Sequence, residues 1–288
     1  ELSVAALTLA EAARMTGAAV FPGSPDLVFG RSGIDSRLTR AGELFFAVPG
    51  RRDGHDFVAA AAAAGASGAV VSRPVEPPHP GFGLLLVPDT VAALQSLARG
   101  VLARRPVKVV GITGSVGKTT TKEFAADLLA ARFRVLKSEG NFNNRLGLAL
   151  SVLRVEAGHD AAVLEMGMSA PGEIRELTRV APPDVAVVTN IAPVHLEFFR
   201  DLDGIARANN EILDGARPGA TAVLNADDPR VMGIAADFPG RRVTFGLAPG
   251  ADVRAASVAP RGYAGFEIDL RYGNEQGFLP FSFFDHST

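Results

Sequence analysis

The sequence predicts an α/β fold in which a mostly parallel β-sheet is flanked by helices. From residue 107 onward, short segments rich in Val, Leu and Ala alternate with longer amphipathic segments, the β-α order typical of parallel sheets. The first hundred residues also mix short apolar segments with alanine-rich ones, which indicates a smaller α/β unit. A chain of 288 residues is long enough for two domains, and we place them at 1–105 and 106–288.

The first half divides into short elements separated by turn residues. Thr8 and Thr90 are each predicted to cap a helix, because a threonine hydroxyl can accept a hydrogen bond from the first free amides of the helix. A proline cluster between residues 74 and 80 indicates a loop. The predicted order is a helix over 8–17, β segments over 27–48, a helix over 56–64, strands over 68–72 and 84–89, and a helix over 90–104.

The second half alternates regularly. Strands are predicted over 107–111, 133–137, 161–166, 184–189, 220–224 and 241–245, with weaker strand character at 253–258 and 266–272. Helices are predicted over 118–131, 146–154, 172–179, 203–214 and 229–236. Ligands bind at the carboxyl ends of parallel strands. Polar residues that follow these strands are therefore expected to lie together, including Glu165 and the segments 190–195 and 225–228.

The segment VKVVGITGSVGKTTT, residues 107–121, is predicted to bind phosphate. Gly114 and Gly117 allow the backbone to turn tightly and bring its N–H groups close to phosphate oxygens. The helix that follows directs its free amides and its dipole at the same place. Lys118 would reach the β- and γ-phosphates, and the Thr119 hydroxyl would be a ligand of Mg²⁺.

The spacing of this segment departs from the common pattern G-x-x-x-x-G-K-[ST]. The residue five positions before Gly117 is Ile112, and the first glycine is Gly111, one position earlier. The alternative interpretation is a glycine-rich βα turn with an incidental lysine. The order of strand, GKT and helix favours phosphate binding.

Composition excludes several classes of function. The chain has 29 basic and 31 acidic residues and a net charge of −2, so no broad positive field indicates nucleic-acid binding. It has no cysteine, which excludes disulfides and thiolate metal sites. No run of about 18 apolar residues predicts membrane insertion, and the N-terminus is unlike a signal peptide. We therefore expect a cytoplasmic protein.

Several segments together resemble a known family. GITGSVGKTTTKEF, GNFNNRLGLALSVL, LEMGMSAPGEIREL, TNIAPVHLEFF and VLNADD, in this order and at these spacings, resemble the ATP-dependent Mur ligases of peptidoglycan synthesis. The IDSR, ELFFAVPGRRDGHDF and GASGAVVSR segments are similar to the UDP-muramoyl-binding domain of that family. The resemblance covers about residues 5–246. It implies a small N-terminal UDP-sugar-binding α/β domain followed by an ATP-binding P-loop domain.

The resemblance also implies a reaction, in which ATP activates a carboxylate as an acyl phosphate and an amine then displaces the phosphate. The GNFNN and EMG segments are most similar to the member that joins D-alanyl-D-alanine to UDP-MurNAc-tripeptide, so these are the expected substrates. ATP and two Mg²⁺ ions are the expected cofactors.

The resemblance assigns roles to named residues. The catalytic ones are Lys118, Glu165 and His195, and the metal ligands are Thr119, Glu165 and His195. The ATP-binding ones are Gly114, Ser115, Val116, Gly117, Lys118, Thr119, Thr120, Asn190, Asn225 and Asp228. The substrate-binding ones are Ser36, Arg37, Asn141, Asn143 and Asn144. Taken alone, Glu165 could be a solvated strand end, His195 a loop histidine, and the asparagines a turn.

Two departures from the family pattern affect the expected activity. Asn209 stands where the resemblance places a lysine that becomes a carbamylated metal ligand, so either Glu211 or water substitutes or the second metal position is weakened. The family also has a third domain of about 120–150 residues. The chain ends near the point where that domain would begin, so we expect a missing C-terminal domain or a partner chain.

Two other readings stay open. The chain could be a truncated or degenerate ligase that binds nucleotide or UDP-muramoyl peptide without turnover. It could instead be another P-loop enzyme such as a kinase, although the IDSR segment and the unusual glycine spacing argue against that.

Overall fold

A five-stranded sheet in the first half and a nine-stranded sheet in the second organise the computed structural model, which describes residues 6–21, 26–194, 198–199, 201–262 and 265–281. The elements of the first half are β1 (Leu7–Thr8), α1 (Leu9–Thr16), β2 (Ala19–Phe21), β3 (Val28–Phe29), β4 (Arg31–Gly33), β5 (Glu43–Phe46), a 3₁₀ helix (Gly54–Phe57), α2 (Val58–Ala63), β6 (Gly68–Val71), β7 (Gly83–Leu86) and α3 (Thr90–Ala103).

The second half continues the alternation. Its elements are β8 (Lys108–Thr113), α4 (Lys118–Ala130), β9 (Val135–Lys137), α5 (Gly147–Val152), β10 (Ala161–Glu165), α6 (Glu173–Val180), β11 (Val185–Val188), α7 (Leu202–Asp214), β12 (Thr221–Asn225), α8 (Pro229–Ile234), β13 (Arg241–Gly246), β14 (Val253–Pro260), β15 (Phe266–Tyr272) and β16 (Glu275–Phe281). The predicted α/β class is confirmed.

The smaller sheet has the order β2-β7-β6-β5-β4 and is parallel except for β2. The caps of its helices are partly as predicted. Thr8 caps α1 through a reciprocal pair of hydrogen bonds with Glu11. For α3 the cap is Asp89, whose carboxylate accepts from the amides of residues 91 and 92. The prediction for Thr90 was wrong, because its hydroxyl instead donates to the Ala47 carbonyl at 3.0 Å.

The larger sheet has the order β16-β15-β14-β13-β12-β11-β8-β10-β9. In this spatial order, all neighbouring strands from β14 through to β9 are parallel. The β14–β15 and β15–β16 pairs are antiparallel. Strand β8 lies between β10 and β11, where the chain order reverses, which is the usual ligand position in such sheets. Strand β16 was not predicted. It forms because Gly273 (φ 59°) allows a tight turn that returns the chain along β15.

Helices cover both faces of the larger sheet near β8. Helix α4 packs over Ile112 and Val163 on one face, and α5, α6 and α7 lie on the other. Helix α3 packs on α1 in the first half and on α5 and α6 in the second, so one apolar core joins both halves. None of the helices in the described residues is long and apolar enough to span a bilayer.

Candidate functional site

The phosphate-loop segment leaves the sheet later than predicted. Strand β8 continues to Thr113, because β10 pairs with it up to Ile112 and β11 up to Thr113. Gly111 therefore lies inside the strand, where a Cβ would come within 2.8 Å of the Pro183 ring. The predicted strand end at residue 111 was therefore two residues too early, and the loop begins at Gly114.

Both loop glycines have conformations that disfavour other residues. Gly114 has φ 134° and Gly117 has φ 82°, and both values lie in the region that favours glycine. A Cβ on Gly114 would also collide with the Thr189 hydroxyl. The turn that brings Lys118 to the start of α4 thus depends on these two positions.

Asn190 holds the loop in place from the end of β11. Its side chain accepts from the Val116 amide at 3.0 Å and donates to the Val116 carbonyl at 3.0 Å. Its backbone carbonyl accepts from the Ser115 amide at 2.9 Å. The Ser115 and Val116 amides are therefore already used. The amides of residues 117–120 have no partner within the described residues, and these free N–H groups at the start of α4 can donate hydrogen bonds to an anion.

Lys118 lies over the same loop. Its ammonium donates to the carbonyls of Gly114 at 2.7 Å and Ser115 at 3.1 Å. Burial lowers the pKa of Lys118 from its ordinary value, and the Glu165 carboxylate partly opposes this shift. The ammonium is thus held at the loop, next to the free amides of α4.

Glu165 is the centre of a polar cluster beside the loop. Its carboxylate accepts from the Thr119 hydroxyl at 2.8 Å and from the Asn143 amide at 2.9 Å. Its own backbone amide donates to the Ser138 hydroxyl at 3.1 Å. Glu165 is only 2% exposed, so the interpretation as a solvated strand end is wrong. Thr119 itself is exposed, and the cluster is therefore open to solvent on one side.

The oxygens of Thr119 and Glu165 fit a Mg²⁺ ion. Magnesium prefers hard oxygen ligands and usually takes only one or two from the protein, with water and phosphate as the others. Among the described residues, no three His, Cys, Asp or Glu side chains come together as a complete metal cage. His195, predicted as a ligand, lies outside the described residues.

The asparagine-rich segment serves two purposes. Asn143 contacts Glu165, and its backbone carbonyl accepts from the Gly167 amide at 2.8 Å. Asn144 instead accepts from the amides of Leu146 and Gly147 at the start of α5, as an asparagine in a turn does. Asn141 is exposed at the surface of the same segment.

Asn225 and Asp228 shape the neighbouring loop. The Asn225 amide donates to the Thr189 carbonyl at 2.9 Å. The Asp228 carboxylate accepts from the Ile191 amide at 2.7 Å and caps α8. Both residues therefore fix the segment that carries Asn190.

The flank of the loop that faces α7 is closed. Asn209 is fully buried, where it accepts from the Thr113 hydroxyl at 3.0 Å and donates to the Ile205 carbonyl at 2.9 Å. The Glu211 carboxylate accepts from the amides of Gly172 at 2.8 Å and Arg175 at 3.0 Å, at the N-terminus of α6. The suggestion that Glu211 substitutes for a metal ligand was therefore wrong.

A cavity of about 730 Å³ lies in the first half next to the asparagine-rich segment. Ser36 and Arg37, both predicted to bind substrate, line it. The Arg37 guanidinium is turned to Asp35, with contacts of 2.9 and 2.6 Å. Phe45, Val48, Phe57 and Leu146 also line the cavity.

Sequence reasoning missed two further residues of this cavity. Arg51 and Arg52 line it, and neither has an ion-pair partner within the described part of the chain. The signal was present in the printed sequence, since two consecutive arginines follow β5 in a Pro-Gly-Arg-Arg turn. Such arginines suit a diphosphate or carboxylate because their donors form a planar fork.

Comparison with known proteins gives two family matches. The model of the Mur ligase middle domain matches residues 112–279, and that of the Mur ligase family catalytic domain matches residues 31–101. The chain is 40% identical over 196 residues to UDP-N-acetylmuramoyl-tripeptide--D-alanyl-D-alanine ligase of Bacillus subtilis, covering 68% of this chain and 43% of the relative. The Synechocystis protein of the same name is 37% identical over 229 residues, covering 79% and 50%. The chain spans about half the length of the curated relatives it matches.

Solved structures give a similar result. A crystal structure of MurF from Acinetobacter baumannii has a TM-score of 0.88 and 31% identity, covering 98% of this chain and 62% of that chain. MurF ligase from Thermotoga maritima in complex with ADP has a TM-score of 0.78 and 35% identity, covering 86% and 57%. The mostly parallel sheet flanked by helices is thus shared with these proteins.

Proposed function

The chain belongs to the Mur ligase family, and from this premise we propose that it serves ATP-dependent amide ligation, joining D-alanyl-D-alanine to UDP-MurNAc-tripeptide. The observation that carries the proposal is the cluster of Thr119, Glu165 and Asn143 beside the phosphate loop and Lys118. The names of the relatives from Bacillus subtilis and Synechocystis support the choice of substrates. The ADP named in the Thermotoga maritima complex supports ATP as the nucleotide.

The proposed reaction has two steps. A carboxylate oxygen of the tripeptide attacks the γ-phosphorus of ATP, and ADP leaves, so that the carboxylate becomes an acyl phosphate. The amine of D-alanyl-D-alanine then attacks the acyl carbon, loses a proton, and phosphate leaves from the tetrahedral intermediate. Activation is needed because an amine does not displace oxide from a carboxylate. During the first step negative charge spreads over three phosphoryl oxygens.

Lys118 and the amides of residues 117–120 are proposed to stabilise that charge. They lie on one short segment, with the ammonium fixed at the loop by the Gly114 carbonyl. Donors held in place before the reaction need little reorganisation, which is why such contacts lower the barrier strongly. Ser115, Val116, Thr120, Asn190, Asn225 and Asp228 are proposed to complete the nucleotide site, mainly by shaping it.

Thr119 and Glu165 are proposed to hold a Mg²⁺ ion, which when bound neutralises charge between the phosphates. A second ion, on Glu165 and His195, stays a prediction. Asn143 restrains the Glu165 carboxylate by its hydrogen bond, so the carboxylate is oriented before any ion arrives. Asn141 and Asn144 are proposed to face the reacting carboxylate.

The cavity of the first half is proposed to bind the UDP-sugar end of the peptide substrate. Its apolar wall suits a base or sugar, and Arg37, Arg51 and Arg52 suit the diphosphate. Ser36 adds a hydroxyl at the same wall. We accordingly propose residues 1–105 as the UDP-muramoyl-peptide domain and 106–288 as the ATP domain, in a cytoplasmic protein.

The proposal is tested by calorimetric titration with ATP and Mg²⁺, then with UDP-MurNAc-tripeptide, followed by phosphate release with D-alanyl-D-alanine. We expect both ligands to bind, and release to need all three substrates. Binding of both ligands without release would favour the alternative, a ligase-derived module that binds without turnover. The proposal would be contradicted if the chain failed to bind ATP or failed to bind UDP-MurNAc-tripeptide.

A further inference from the structure

Lys122 is a fully buried lysine whose charge has no role in the reaction described above. It lies in α4 with 0% of its surface exposed. Its ammonium donates to the Ser138 carbonyl at 2.8 Å, lies 3.4 Å from the Gly140 carbonyl, and pairs with Glu123 at 2.9 Å. A buried ammonium is costly unless it is fully partnered, so these contacts need an explanation.

The partners of Lys122 belong to the segment that builds the Glu165 cluster. The Ser138 hydroxyl accepts from the Glu165 amide at 3.1 Å, and the Ser138 amide donates to the Val163 carbonyl at 3.1 Å. Three residues after Gly140 comes Asn143, which donates to the Glu165 carboxylate. The segment 138–143 therefore contacts both the backbone and the side chain of Glu165.

Lys122 joins this segment to the helix that carries the other half of the cluster. Thr119 precedes Lys122 by three residues on α4, and its hydroxyl contacts Glu165 at 2.8 Å. Residues three apart lie on the same side of a helix. One side of α4 thus contacts Glu165 directly through Thr119 and indirectly through Lys122 and Ser138.

We propose that Lys122 is a positioning residue that sets Glu165 relative to Thr119 and so tunes the affinity of the metal position between them. This role rests on the proposed function, because it concerns the same Mg²⁺ ion. Lys122 differs from Lys118, whose ammonium lies at the phosphate loop. Lysine suits the position because a long stem delivers several N–H donors to carbonyls of another segment.

If Lys122 has this role, substituting it should weaken ATP binding in Mg²⁺ much more than ATP binding without metal. In Lys122→Met the apolar stem is kept, but the Ser138 and Gly140 carbonyls lose their donor and the segment 138–143 can shift. Lys122 does not link the segment 138–143 to the phosphate loop. The affinity for ATP in EDTA should therefore stay within about twofold of that of the unaltered chain. The gain in ATP affinity on adding Mg²⁺ should fall about tenfold or more, as found when outer partners of metal ligands are removed.

The experiment is calorimetric titration of the chain with ATP in EDTA and in Mg²⁺. Lys137→Met is the matched control, because Lys137 also pairs with Glu123 but its side chain is half exposed. Within the described residues, the Lys137 ammonium binds no carbonyl of the segment 138–143. It should keep both affinities. Equal loss in EDTA and Mg²⁺ for Lys122→Met would mean a merely structural lysine and overturn the role, as would no loss in either.

A second variant covers the case in which Lys122→Met does not fold, as judged by circular dichroism. Ser138→Ala removes the hydroxyl that accepts from Glu165 and leaves Lys122 in place. It should show the same selective loss of the Mg²⁺ effect, by about threefold. An unchanged Mg²⁺ effect in Ser138→Ala would overturn the role. If the unaltered chain binds no ATP, the proposed function itself fails, and that outcome is distinct because it does not depend on any variant.

Discussion

The two flanks of the phosphate loop are built from similar side chains but behave differently. Toward β10, the Thr119 hydroxyl meets the carboxylate of Glu165, and Thr119 is exposed. Toward α7, the Thr113 hydroxyl donates a hydrogen bond to the side-chain amide oxygen of Asn209, and both residues are buried. One flank therefore has a charge and access to solvent, and the other has neither.

The difference shows which hydrogen bonds of the loop can be exchanged. A ligand that approaches Glu165 can replace the Thr119 contact by contacts of its own, because water and ions reach that side. The Thr113–Asn209 bond can be broken only by leaving buried groups unpaired, which is costly. We therefore propose that ligands bind at the first flank and that the second flank stabilises the loop.

The largest expected effect is at Lys118, which lies between the flanks. Lys118→Ala should lower ATP-dependent phosphate release by about 10²- to 10³-fold, because charge on the phosphoryl oxygens loses its fixed donor. The measurement is phosphate release in the complete reaction. Lys108→Ala is the control, because Lys108 lies at the start of β8, away from the loop, and pairs with Asp184. Unchanged release in Lys118→Ala would contradict its role.

The open flank is tested by Glu165→Gln, which keeps the shape of the side chain but removes its charge. The gain in ATP affinity with Mg²⁺ should fall by about 10- to 100-fold, since an amide is a poor ligand for this ion. Binding in EDTA should change little. Calorimetry in both buffers gives the comparison, and an undiminished Mg²⁺ effect would rule out Glu165 as a ligand.

The closed flank is tested by Asn209→Ala. This change leaves the buried Thr113 hydroxyl without its partner and should lower the free energy of unfolding by about 1–3 kcal/mol. Asn210→Ala is the control, because Asn210 contacts Asp214 near the surface, and it should stay within about 0.5 kcal/mol. Urea denaturation measures both. Equal stabilities would show that the buried amide contributes nothing.

The smallest expected effect is a pH dependence from Lys118. Its pKa is lowered by burial below the ordinary 10.5, so between the two values the unfolded chain binds more protons than the folded one. The free energy of unfolding should therefore rise with pH through this window, relative to Lys118→Met. Urea titrations at a series of alkaline pH values measure the difference. A difference that falls with rising pH would contradict the assigned burial effect.

Local patterns explain which predictions were confirmed. The parallel sheet follows from alternating apolar and amphipathic segments, and Thr8 caps α1 because its partners lie within three residues. The conformations of Gly114 and Gly117 also follow from a turn that is short in sequence. In each case the atoms that decide the structure are neighbours along the chain.

Predictions that needed distant partners were wrong or missing. Strand β8 extends past residue 111 because β10 and β11 pair beyond it, and Asp89 rather than Thr90 caps α3 because the Thr90 hydroxyl donates to the Ala47 carbonyl. The Glu211 carboxylate accepts a hydrogen bond from a backbone amide at the N-terminus of α6. None of these partners can be identified from spacing.

The sequence by itself determined that a strand, a glycine turn, a lysine and a helix follow one another, because backbone preferences and first-turn amides are local properties. Only the tertiary structure decided what stands on each side of that loop. Thr119 and Glu165 are 46 positions apart, and Thr113 and Asn209 are 96 apart. Which of these pairs is exposed to solvent and which is buried depends on the order of the strands in the sheet and on where α7 packs. Packing between distant parts of the chain cannot be predicted from any short segment.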